Sequence, residues 1–547
     1  MKLTTNWLKP PYASGGIDHL GTQAPCVMIY GQLLPGITNV TDRARYYSLY
    51  PWLVWSYDQR YAKDDYNHFV ERFRRADCLF TLIAERHAQV TDHSSERHGV
   101  AMVGRTKLVP SLANLKVGKQ LRLSLYATTE ETPQRYFMNR LGGLSQYYAG
   151  TLAELQLMEA SGRSWSFYSS QYGAPLAQSV ESSVPSERFW QVVENDSVTL
   201  DDLDDLSAFC ACNISESLGE HRQLIDIFFD TSNRYSEEGT QRRQSLGLIL
   251  QMVEALKGRS PTEEAFRGCV YSAALPNGKA WEIPDALQLT RAHWAVYVRN
   301  DLMSVAFQTI LAISLQELQP QSAAQRRVFH SVEAFADWFG TSAAVAGVLS
   351  DLGADSFGDL VASSRANGPA LTSWTKGAHE IQLARQLIDG WHTGVEVARL
   401  LSGSLSLLAM LVARDDLGQQ PYSGLAITLE GLRDYPINLV SFRSRSTDWQ
   451  TMPLKHVVVD LVVWCLDSHL RVALRKLRQS NRSTFHLRPS ERGLEVVGDQ
   501  IPPPSQTTPR FRQALQILRD LGMLARDDNH MTRLTDSGRM QMEAASV

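Results

Sequence analysis

Signatures of nucleotide and hydrolase chemistry are what this sequence most plainly lacks. It has no G-x-x-x-x-G-K-[ST] loop to cradle a triphosphate, no G-x-S-x-G elbow, no H-E-x-x-H pair and no PD-(D/E)xK spacing with its lysine. That argues against an ATPase or helicase role within the chain. Cysteine is scarce: six residues in 547, at Cys26, Cys78, Cys210, Cys212, Cys269 and Cys465. None forms a C-x-x-C pair, so neither a disulfide framework nor a zinc site is indicated. Cys210 and Cys212, one residue apart, read as reduced, buried thiols. A dominant charge is missing too, with 54 Lys+Arg against 58 Asp+Glu and a net −4, so no global positive field advertises nucleic acid. The greasiest windows, 304–318 and 400–413, fall short of the roughly 20 residues that span a bilayer. The first six residues lack the apolar core of a secretory signal. A cytoplasmic protein with no membrane partner is expected.

What is present is length, with an apolar share of 44% and a charged share of 20% that suit packed globular domains. The chain is too long for one ordinary core. Four domains are expected: a mixed α/β domain at 1–180, helical domains at 185–325 and 326–450, and a winged-helix domain at 454–547. The fold class is mainly α with minor β, a multi-domain helical body with a C-terminal winged helix-turn-helix domain. Residues 121–126 alternate as a half-buried strand. Gly173-Ala174-Pro175 and the serines that follow read as a linker. Thr199 and Thr290 open helices, and 304–315 is apolar nearly all round, as an interior helix is. A single long helix is expected across 379–414 and another across 455–478, the latter ending in Arg471, Arg475, Lys476 and Arg478, cations that complement the helix dipole. Residues 484–487 and 494–497 bracket a strand–turn–strand.

The last forty residues carry the one pointer to a class of partner. Thr508 as cap and Pro509 at the first helical position open a helix. Phe511, Ala514, Leu515, Leu518 and Leu521 share a face, and Gly522 ends it. Residues 523–526 and 531–534 flank Asp527-Asp528-Asn529-His530, a polar tip that suits a hairpin wing. From Leu454 onward there are 14 cationic against 10 anionic side chains, with 40 against 48 in the rest. Arg510, Arg512 and Arg519 on the helix, with Arg526 and Arg533 on the wing, are the candidate DNA contacts. Against this, winged helices also dock proteins, and Asp520, Asp527 and Asp528 repel phosphate.

Other constellations are weighed against simpler readings. Tyr46, Tyr47, Tyr50, Trp52, Trp55, Tyr57 and Tyr61, interleaved with Arg43, Arg45 and Arg60, could stack bases, but spacings of four favour a packed core. Arg385 and His392 match the spacing of HEPN ribonucleases, a pattern that arises easily by chance. Asp201, Asp202, Asp204 and Asp205 sit in the first turns of a helix, where the dipole explains carboxylates without magnesium. His87, His93 and His98 lie in a polar stretch read as a loop, not as a zinc trio. No catalytic residue, cofactor or metal ligand is assigned.

Three stretches, Gly36-Ile37-Thr38-Asn39-Val40-Thr41-Asp42-Arg43-Ala44-Arg45-Tyr46-Tyr47, residues 294–310 and the tail 511–539, together resemble accessory subunits of bacterial antiphage defence systems, among them the Druantia type. That resemblance implies a non-catalytic component of an antiviral complex, with DNA or other defence subunits as partners and a separate helicase subunit to hydrolyse ATP. The alternatives are a nuclease effector with dispersed active residues and a stand-alone DNA-binding regulator.

Overall fold

The computed structural model describes residues 18–61, 65–91, 96–159, 167–319, 327–481, 483–491, 493–498, 500–526 and 531–546. It is mainly helical, and its strands form only two-stranded antiparallel ladders. No described helix is long and apolar enough to cross a membrane. The chain clusters into two units that do not follow the four expected domains. One comprises 1–32, 264–282 and 291–509, the other 33–263, 283–290 and 510–547. The expected winged-helix domain at 454–547 is therefore divided after Pro509.

In the unit containing 33–263, the aromatic residues of the Tyr46–Arg60 helix form the core. Tyr46, Tyr47, Tyr50 and Trp52 are fully buried. Trp52 meets Phe80, Phe189 and Phe209 at ring-centroid distances of 6.2, 5.2 and 5.0 Å. These rings face each other across three helices, so packing and not base stacking accounts for them. Pro51 sits inside the helix without ending it. The stretch read as a strand at 121–126 pairs only through Leu121–Arg122, with Ser197–Val198. Its remainder turns into a short helix, Ser124–Ala127, held by Asp196, whose carboxylate accepts from the Ser124 amide at 2.6 Å. The expected linker after Gly173 is a helix, Gly173–Glu181, because Leu176, Ala177 and Val180 supply a buried stripe that composition alone conceals.

In the unit containing 291–509, the long helix Asp285–Leu318 contributes its apolar part, with Leu302, Val305, Phe307 and Ile310 buried, as the all-round apolar pattern predicts. The Leu454–Ser480 helix packs Trp464 on Phe307 at 5.1 Å. The expected single helix across 379–414 is two, Glu380–Thr393 and Val397–Ala413. Gly394 separates them at φ +73°, a conformation that only glycine adopts cheaply. The strand–turn–strand is present as Leu487–Ser490 and Gly493–Val496.

That hairpin is anchored by three histidines. The His19 ring lies 4.5 Å from His486 and 6.0 Å from His469. His469 Nε2 accepts from the His486 amide at 2.9 Å, which keeps this ring neutral. Burial pushes His19 down to about 3 and His469 to about 4, the neighbouring histidines adding to it. Folded values below the ordinary 6.5 mean stability that is present above pH 6.5 and lost as pH falls toward 4. Urea titrations at stepped pH should show this unit weakening over that window, with a flatter profile in His19→Gln. A pH-independent midpoint between 6.5 and 4 would contradict the assignment.

Candidate metal centre

His87 stands in the last turn of the amphipathic Tyr66–Val90 helix, where Thr91 closes the helix by donating both its amide and its hydroxyl to the His87 carbonyl. His98 belongs to the turn at 96–101 and is 2% exposed. Gly99 beside it permits the approach, since a Cβ there would lie 1.8 Å from Glu85 Oε1. The His87 and His98 rings meet edge to face at 5.0 Å. His93 lies outside the described residues.

The thiols arrive from a different part of the same unit. Thr199 and Asp202 form a capping box that starts the Leu200–Asp205 helix, and Arg86, next to His87, grips Asp204 with two bonds of 2.8 Å. Phe209 then plunges into the aromatic core, ending the turn Ser207–Phe209. Cys210, extended at φ −64° and ψ 143°, joins that turn to the next, Ala211–Glu216, which carries Cys212. Arg45 holds this corner by donating to the carbonyls of Ala208 and Cys210. It is itself fixed by a buried ion pair with Glu220 at 3.0 Å.

These four side chains converge. Cys210 Sγ lies 3.2 Å from His98 Nδ1, and Cys212 Sγ lies 3.3 Å from His87 Nδ1. All four ligand atoms fall within 4.8 Å of one another. A tetrahedral zinc with ordinary Zn–S and Zn–N lengths would set adjacent sulfur and nitrogen about 3.6 Å apart, so small side-chain movements suffice. Two thiolates and two imidazoles are a zinc donor set; magnesium and calcium require oxygen. With four protein ligands the coordination shell is closed, which is the structural and not the catalytic arrangement. Outer contacts also fit. His98 Nε2 lies 3.4 Å from Thr91 Oγ1, a partner that orients the ring with Nδ1 toward the cluster. Burial raises the Cys210 thiol, but hydrogen bonding from Cys212, His87 and His98 outweighs it and brings the group well below its ordinary value. Bonding to Cys210, together with burial, pushes Cys212 the other way. The two thiols thus shift in opposite directions, and a bound dication would favour the thiolate form of both.

The loop that carries His98 is braced by the C-terminal arm. Arg43, fully buried, donates to the carbonyls of Val100 and Arg97 at 3.0 Å each, and to that of Glu96 at 3.4 Å. Its Nε pairs at 2.9 Å with Asp520 on the Phe511–Asp520 helix. Gln516, one turn earlier, donates to the Glu96 carbonyl at 3.0 Å.

This placement revises the reading of the tail. Helix, hairpin and helix occur in the expected order, as Phe511–Asp520, the ladder of Leu524–Arg526 with Thr532–Leu534, and Asp536–Ala544. The wing tip 527–530 lies outside the described residues. The first helix, however, is buried on most of its faces, Gln513, Gln516 and Asp520 included. Its cap is Arg510 at φ 59°, in place of Thr508. Of the candidate DNA contacts, Arg512, Arg526 and Arg533 are exposed, whereas Arg510 and Arg519 are half-buried. Arg510 donates to the Leu34 carbonyl at 2.9 Å, and Arg512 faces the Asp42 carboxylate. Burial lowers the Arg519 value, and Arg526 pairs with Glu96 at 2.5 Å. Arg533 is exposed on the second strand.

Elsewhere, Arg385 pairs with Glu264 at 2.9 Å and with Asp389 at 3.5 Å, while His392 is exposed. Asp202 and Asp204 are used in capping and ion pairing, as the dipole reading anticipates. The structure brings together two of the three histidines that the sequence reading dismissed and the C-x-C pair that it took for inert thiols. The signal was there in two halves, H-x(10)-H and C-x-C, but only tertiary structure joins segments 112 to 125 residues apart. No known family model, curated protein or solved structure matches this chain.

Asp520→Ala would strand the Arg43 guanidinium in a buried site. It should cost roughly 3–5 kcal/mol in denaturant unfolding, whereas Arg526→Ala, at a half-exposed pair, should cost about 1 kcal/mol or less. Equal small effects would show that the arm does not brace the loop.

Proposed function

We propose that this chain is a zinc-stapled, non-catalytic helical scaffold. The observation that carries this is the set of His87, His98, Cys210 and Cys212, whose ligand atoms all lie within 4.8 Å of one another. Such a staple ties the end of the Tyr66–Val90 helix to the corner at Cys210. Closing a loop of about 100 residues removes on the order of 4–5 kcal/mol of chain entropy from the unfolded state. Two thiolates neutralise a dication, so the buried complex carries little net charge and a small desolvation cost.

A scaffold of this kind suits the antiviral role that the sequence resemblance implies, as a component that organises partners while another subunit hydrolyses ATP. Support for that role comes from the resemblance alone. The Phe511–Asp520 helix packs inward, which favours a docking or bracing role for it over DNA contact.

Protein purified without chelator should contain close to one zinc per chain by elemental analysis. Cys210→Ser and His98→Gln should each reduce that content severalfold. Cobalt in its place should show thiolate charge-transfer bands and tetrahedral ligand-field absorption, and a strong chelator should lower the melting temperature. Metal-free wild-type protein whose melting temperature ignores added zinc would refute the staple. For the wider role, phage plating on cells carrying the surrounding gene cluster should rise when this chain is deleted; unchanged plating would remove the antiviral reading and leave the zinc site untouched.

A further inference from the structure

A second feature lies in the unit containing 291–509 and is independent of the metal centre. Beside the C-terminal half of the Leu454–Ser480 helix runs a groove of about 490 Å3, lined by Arg433, Arg471, Arg475 and Arg478 with Asp434 and Leu474. It continues into a second hollow of about 350 Å3, which shares Arg433, Pro436 and Arg471. Four guanidinium groups against one carboxylate make the first hollow strongly cationic, although the chain as a whole is acidic.

Three of the four arginines are not consumed by internal partners. Among the described residues, Arg433, Arg471 and Arg478 are exposed and make no ion pair, Asp467 giving Arg471 only a longer-range attraction. Arg475 is held flat over the Tyr435 ring at 4.6 Å and donates to the Asp434 carbonyl, while its approach to that carboxylate is only 3.9 Å. One structural reason exists for cations at a helix C-terminus, the half-unit of negative charge that the dipole places there. Four guanidinium groups, one of them contributed by a separate segment at Arg433, exceed that need several times over.

We propose that this groove binds single-stranded nucleic acid through its phosphodiester backbone. The spacing of the cations favours a polyanion over a single small anion. Arg471, Arg475 and Arg478 lie on one helix face, separated along the axis by about 6 and 4.5 Å at 1.5 Å per residue. A row of this kind engages successive phosphates, and the planar fork of each guanidinium matches phosphate oxygens two at a time. Leu474, 42% exposed between the cations, and Pro436 offer apolar surface to base faces, as strand-binding grooves do. A lipid surface would need a broader apolar face than these two residues supply. No base-specific hydrogen bonding is called for, so binding should tolerate sequence and depend on salt.

The test uses the zinc-replete full-length protein and a fluorescently labelled, mixed-sequence 20-nucleotide strand, with affinity read by anisotropy between 50 and 200 mM KCl. Wild-type binding should weaken steeply with salt. Arg471→Ala should lower the slope of log affinity against log salt by about 0.7, the share of one phosphate contact on a single strand. The triple variant Arg433→Glu, Arg471→Glu, Arg478→Glu should lose at least ~100-fold in affinity with an unchanged melting temperature. Arg510→Glu with Arg512→Glu should bind as wild type does. Wild-type protein that does not bind the strand, a triple variant that binds it undiminished, or a polyglutamate peptide that competes on equal terms would each overturn the proposal, the last in favour of an acidic protein partner.

Discussion

The buried pair of Arg43 and Asp520 is the contact on which the unit containing the Cys–His cluster depends. Both side chains are almost wholly removed from water, and the cost of that desolvation is offset because each guanidinium nitrogen of Arg43 finds an acceptor. Three of those acceptors are carbonyls of one loop. The guanidinium therefore does more than neutralise a carboxylate: it fixes the backbone of 96–100, and with it the position of His98. The carboxylate gains in turn, accepting from the Ala44 amide and from Gln516. Burial drives Asp520 above its ordinary value while Arg43 pulls it back, the mark of an ion pair held in place by its surroundings.

A second buried pair repeats the device at the Cys210 corner. Arg45 and Glu220 are as deeply enclosed, and Arg45 spends its remaining donors on the carbonyls at the Cys210 corner. Two arginines separated by a single alanine thus position the two halves of the Cys–His cluster, one holding a histidine loop and the other a cysteine corner. A charged residue in a core is expensive unless it is paired and fully bonded. Full bonding of both guanidinium groups offsets that expense and fixes the carbonyls of both segments.

In the C-terminal arm a correct local pattern places a helix without fixing what its other face meets. Phe511, Ala514, Leu515 and Leu518 do share a face, and Gly522 does end the helix at φ +69°. What pattern cannot say is whether the opposite face meets water. Here it meets the 96–100 loop, and Gln513, Gln516 and Asp520, polar by composition, are buried donors and acceptors. On the Leu454–Ser480 helix, by contrast, Arg471 and Arg478 are exposed, so part of the basic character noted in the sequence resides there and not on the Phe511–Asp520 helix.

Helices, caps and the aromatic core were legible in the sequence because they depend on neighbours within a few turns: the Thr199 cap, the apolar stripe at 304–315, the four-residue spacing from Tyr46 to Tyr50. Glycines with positive φ were legible in kind but not in effect, since Gly394 divides what periodicity alone joins. The Cys–His cluster was beyond sequence reading for a physical reason. Its ligands come in two pairs separated by more than a hundred residues, each pair alone indistinguishable from a polar loop or a pair of reduced thiols. Folding decides their convergence, through two buried arginines whose partners lie 175 and 477 positions away along the chain.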